Sequence, residues 1–177
     1  MKPRAARRAK PMKWYRTPSF GVSVLLALAI VAILIGLVTH EPGMAGVKAA
    51  YAVLTHTALR LLGQDTAVAG NVVQSGHFGI TVVTACTGLF VTTLFVVAVL
   101  LFPASWPAKL IGATVGISGI AVVNVVRLVS LYFVGVHWPQ FFDLVHQLVW
   151  QSLLIVIAVS LWLVWAGRTT GRKGAVK

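Results

Sequence analysis

Three side chains in this sequence are of types that do covalent chemistry together: Cys86, Arg127 and His146. The chain has one cysteine, so it can form neither an intrachain disulfide nor a multi-cysteine metal site. A thiolate is a nucleophile, and nearby cations or a helix N-terminus favour it over the thiol. An imidazole can take and return a proton, and a guanidinium can hydrogen-bond an oxyanion. Each residue also has a plainer reading. Cysteine often only packs, an arginine near a membrane interface can snorkel, and a histidine can be an ordinary interfacial polar group. His77 and His137 are rival bases to His146, and His40 and His56 complete the five histidines.

Local spacing adds candidates. Asn124 and Arg127 are three apart and share one face of a helix, as do Asp143 and His146. Asp143 could orient or charge-stabilise the imidazole, or it could cap the helix that His146 opens. The cap is the favoured role, and it leaves room for the other. Gln147 and Gln151 add polar groups to the start of that helix.

The elements that must position these residues follow from composition. Hydrophobic residues make up 58% of the 177 and charged residues 10%, against roughly 25% charged in a soluble domain. So few charges cannot coat a water-soluble surface, which excludes an ordinary cytosolic enzyme and a disordered tail. The net charge of +12 would suit a nucleic-acid binder. Its distribution argues otherwise, because the basic residues flank long apolar runs and lack interleaved aromatic platforms apart from Trp14 and Tyr15. The pattern predicts an all-α integral membrane protein with four transmembrane helices, at 20–38, 86–104, 109–134 and 144–166. The first run is long for a signal-peptide core, so a retained helix is expected, although residues 43–45 form a faint cleavage candidate.

Charge orients such a chain. With the N-terminus cytoplasmic, the basic tails 1–19 and 167–177 and the short loop with Lys109 hold twelve of the fifteen basic residues and no acid. The outer segments hold Lys48 and Arg60 with Glu41, Asp65 and Asp143, as the positive-inside rule requires. Arg127 lies eighteen residues beyond Lys109, or ~27 Å along a helix, which carries it to the outer side. Cys86 and His146 open the second and fourth spans at the same depth. Between the first two spans, the outer segment 39–85 carries an expected amphipathic helix on the outer leaflet from Met44 to Leu62, with Val47, Tyr51, Leu54, Ala58, Leu61 and Leu62 as its apolar face, stopped by Gly63. A short β-hairpin follows, with Val68, Val72 and Val73 on one arm, its turn at residues 74–76, and Phe78, Ile80 and Val82 on the other.

The sequence Ala85-Cys86-Thr87-Gly88, then Asn124-Val125-Val126-Arg127, then His146, resembles the signature of exosortases and archaeosortases. The order and intervals match over about residues 60–160. The chain is similar to a compact member, in the manner of the exosortase H subgroup, lacking the additional N-terminal spans of longer ones. The resemblance implies a membrane cysteine transpeptidase or protease, with Cys86 as nucleophile, Arg127 as transition-state stabiliser and His146 as acid and base. Asn124 would position Arg127 or donate to the same oxygen, and Thr87 and Gly88 complete the cysteine motif.

By the same resemblance, the partner is an exported protein whose C-terminal signal comprises a short motif, a membrane helix and a basic cluster. The expected location is a bacterial inner membrane, multi-pass, with both termini cytoplasmic and the site facing outward. The helix and hairpin of residues 44–85 could clamp the extended motif. No cofactor, metal or nucleic acid is implied. The competing classes are a non-catalytic membrane scaffold or assembly protein, which would survive Cys86→Ala, and a small transporter or haem-binding bundle. Absorbance would reveal the haem.

Overall fold

The computed structural model describes residues 18–39, 41–76 and 78–174. Helix α1 runs Pro18–Thr39 and α2 runs Ala45–Leu61. Three short strands follow: β1 (Ala67–Ala69), β2 (Val72–Ser75) and β3 (Phe78–Thr81). A 3-10 turn at Thr84–Thr87 leads into α3 (Leu89–Leu101), and α4 (Trp106–His137) and α5 (Trp150–Gly174) complete the fold. A 3-10 turn at Pro139–Phe141 and a π turn at Leu144–Val149 join α4 to α5.

The expected four transmembrane helices and hairpin are not what forms. Among the described residues, two helical stretches are long and apolar enough to cross a membrane, Trp106–His137 and Pro139–Thr170. The apolar part of α1 is Phe20–Gly36, and α3 has 13 residues, which is ~20 Å of helix against a hydrocarbon layer of ~30 Å. Local chemistry limits α3 at both ends. Gly88 takes a left-handed conformation (φ 66°) before it, and Pro103 holds Phe102 extended (ψ 140°) after it. The apolar run in the sequence continues past these punctuation points, and the helix does not.

The sheet is a three-stranded antiparallel meander in the order β1-β2-β3. Val68 and Val72, expected on one hairpin arm, fall on different strands, with Ala69 opposite Val72. The cause is a two-residue turn at Gly70 and Asn71, with Gly70 at φ 60°, a dipeptide suited to tight hairpins. Helix α2 forms and ends with Gly63 at φ 79°, where the Gln64 amide reaches back to the Leu59 carbonyl at 3.0 Å. It does not simply lie on a leaflet. Its Ala52, Thr55 and Leu59 are buried, while Leu54 and Leu61 of the anticipated apolar face are exposed.

Two apolar clusters form the interior. One joins α2, the sheet and the far half of α4 through Leu59, Val73, Ile80, Leu128 and Leu131. The other joins α3, α4 and α5 through Phe95, Val99, Ile120 and Leu154. Gly116 makes the second possible, because a Cβ there would overlap the Phe95 ring. Exposed Leu110, Ile111, Val115, Val122, Ile155, Val156, Val159 and Leu163 cover the outside of α4 and α5. Water does not tolerate so broad an apolar surface, and a bilayer does.

Lys109, expected as a loop charge facing the cytoplasm, sits instead in the first turn of α4 and is 6% exposed. Its amino group donates to Ser23 Oγ at 2.7 Å and to the Leu100 carbonyl, tying α1, α3 and α4 together.

Candidate active site

The thiol is presented by the turn between sheet and α3. Cys86 N donates to the Val83 carbonyl at 2.8 Å, and Thr87 Oγ1 donates to the Thr84 carbonyl at 2.8 Å. The Asn124 amide crosses from α4 and donates to the Cys86 carbonyl at 2.7 Å. A Cβ on Gly88 would approach Asn124 Oδ1 to 3.2 Å. The motif is thus a turn that only a glycine closes without strain and that leaves space for the asparagine beside it. Cys86 is 4% exposed.

His146 Nε2 lies 3.4 Å from Cys86 Sγ, across sixty residues of sequence. The imidazole stands on the π turn and packs at 5.8 Å from the Phe142 ring. Such turns inside helices re-aim side chains and are frequent at functional sites. Asp143 makes no side-chain cap bond there, so the favoured capping role is not seen. It is exposed and interacts with His146 through charge. His137 is placed otherwise, with its Nδ1 donating to the Phe133 carbonyl at 3.0 Å. His77 lies outside the described residues.

Arg127 is 2% exposed, and its Nε and Nη1 are buried with no hydrogen-bond partner among the described residues. Its charge interacts with both Cys86 and His146. Buried donors left unmet are costly, and a guanidinium with unmet donors is chemically able to hydrogen-bond an anion. Asn124 Oδ1 is likewise buried and unpartnered. Arg127 and Asn124 occupy α4 between Ile120 of one apolar cluster and Leu128 of the other, at a polar seam between two dry layers.

One neighbour of the site escaped the sequence reading. Tyr51, counted there only as part of an apolar face, reaches Asn124 from α2. Burial pushes its phenol above the ordinary tyrosine value, and the Asn124 amide partly opposes that rise. The spacing of Ala52, Thr55 and Leu59 would have placed Tyr51 at the edge of the buried face.

A thiol within reach of an imidazole, beside a guanidinium with unmet donors, is an arrangement competent for acyl transfer through sulfur. The chain matches the family described as Transmembrane exosortase (Exosortase_EpsH) over residues 12–163, which takes in all of these side chains. The chain belongs to the transmembrane exosortase family. No curated protein and no solved structure matches it. As an exosortase it is a membrane cysteine transpeptidase, and its family acts on C-terminal sorting motifs of exported proteins.

Proposed function

We propose that Cys86, His146 and Arg127 are the catalytic residues of this exosortase. His146 takes the thiol proton as Cys86 Sγ bonds to the carbonyl carbon of the scissile peptide. The oxygen becomes an oxyanion that accepts hydrogen bonds from Arg127. The C–N bond then breaks, His146 returns the proton to the departing amine, and a thioacyl enzyme remains. An incoming amine or water is deprotonated by His146 and attacks the thioester, releasing the acyl product and restoring the thiol. Asn124 holds the Cys86 backbone in register, and Asp143 precedes His146 by three residues on the same turn.

The observation that carries this reading is the 3.4 Å approach of Cys86 Sγ to His146 Nε2, with the unpartnered Arg127 donors alongside. That the chain has a single cysteine supports it further, since the family's chemistry needs a thiol.

The substrate is read as an exported protein ending in a motif, a membrane helix and a basic cluster, cleaved at the outer face. Charge supports this orientation. The end of the α4–α5 pair where Trp165 Nε1 donates to the Ala108 carbonyl carries the exposed Arg168. The opposite end carries Asp143, the thiol and the imidazole. Both basic tails then lie inside.

Co-expression with such a substrate tests the assignment. Processing is expected with the wild type and is expected to vanish in Cys86→Ala and His146→Ala. Processing that persists in Cys86→Ala overturns the catalytic reading, and persistence in His146→Ala moves the base elsewhere.

A further inference from the structure

A second feature lies directly below the site. Helices α3 and α5 enclose an apolar groove of about 410 Å³. Phe90, Leu94 and Ala98 line it from α3, four residues apart, and Gln151, Ile155 and Trp162 line it from α5. These are helical stripes on two packed helices, and they face one channel. From Gln151 to Trp162 it extends eleven residues, which is ~16 Å or three turns of helix. Its upper end adjoins the catalytic candidates. Phe90 begins the first turn of α3, four residues beyond Cys86. Gln151 follows His146 by five residues, at the start of α5.

We infer that this groove seats the membrane helix of the substrate's sorting signal while the motif preceding it lies across Cys86. The inference rests on the transpeptidase reading and adds where the substrate's helix goes. Two observations select that occupant. The groove begins within five residues of Cys86 on α3 and of His146 on α5, so a chain leaving the thiol toward the opposite face meets it. Its walls are apolar side chains on α3 and α5, with Leu94 54% and Ile155 49% exposed, as a surface meant to be covered in lipid would be. Recognition is then helix-in-groove, and the shape of the groove contributes specificity that a short motif cannot.

Disulfide cross-linking in Cys86→Ala, which forms no thioester, tests the contact without catalysis. A cysteine scanned through the membrane helix of a co-expressed substrate should cross-link to Leu94→Cys and Ile155→Cys. It should not cross-link to Val122→Cys, on the exposed side of α4. In the active protein, Leu94→Trp and Ile155→Trp fill the groove and should slow substrate processing about tenfold, the equivalent of ~1.4 kcal/mol. The alkylation rate of Cys86 by a small thiol reagent should stay at the wild-type value in both, showing the site intact. Equal cross-linking at Val122→Cys, or wild-type processing in both tryptophan variants, overturns the inference. If Cys86→Ala still processes substrate, the transpeptidase reading fails, and the cross-link pattern still reports on the groove.

Discussion

At the scale of single residues, the site depends on shape as much as on charge. Replacing Arg127 by Lys keeps the cation but loses the planar fork that carries the unpartnered Nε and Nη1 donors. Arg127→Lys should lower processing by ~10²–10³, the usual cost of an oxyanion donor, with membrane insertion unchanged on a blot. Asn124→Ala removes the 2.7 Å bond to the Cys86 carbonyl and should lower thermal stability in detergent by ~1–3 kcal/mol, the cost of a buried group left unmet. Gly88→Ala forces an L side chain into a left-handed turn, at ~1–2 kcal/mol, and pushes on Asn124 Oδ1. Processing in Gly88→Ala should fall with the Asn124 variant, and wild-type processing would show that the turn does not set the thiol. Tyr51 could not be assigned to this site from the sequence, because an aromatic on an amphipathic helix reads as packing. Only the approach of α2 to α4 puts its hydroxyl beside Asn124.

At the scale of elements, glycine and proline decided what hydrophobicity left open. A long apolar run looked like a full span, but Gly88 and Pro103 confine α3 to 13 residues. Val68 and Val72 looked like one strand, but Gly70 and Asn71 turn the chain between them. Gly116 admits the Phe95 ring against the α4 backbone. Gly116→Leu should separate α3 from α4 and lower the detergent melting temperature, by the ~1–3 kcal/mol typical of overpacking. An unchanged melting temperature would mean that the two helices are not held at that point. Because Phe95 belongs to the cluster that also holds Leu154 of α5, the same variant should slow processing by loosening the α3–α5 pair.

At the scale of the whole molecule, a buried lysine fastens one end and the thiol–imidazole pair marks the other. Lys109→Ala removes the amino group that ties Ser23 Oγ to the Leu100 carbonyl and should cost ~1–3 kcal/mol of stability, read by thermal unfolding. The candidate residues were legible by type, and the structure brings two of them, Cys86 and His146, within 3.4 Å. One thiol, a guanidinium inside an apolar segment and a histidine opening the next could be set at one depth from helix rise alone. Composition by itself also determined that the chain belongs in a lipid environment, because 10% charged residues cannot cover a surface in water. Among the described residues, the tertiary structure alone decided which histidine meets the thiol, how many helices are long enough to span, and that Lys109 faces inward. Rise and periodicity fix where a residue sits along and around its own helix. Contact between side chains sixty residues apart depends on how helices pack, and that is set by the glycines, turns and ring contacts between them.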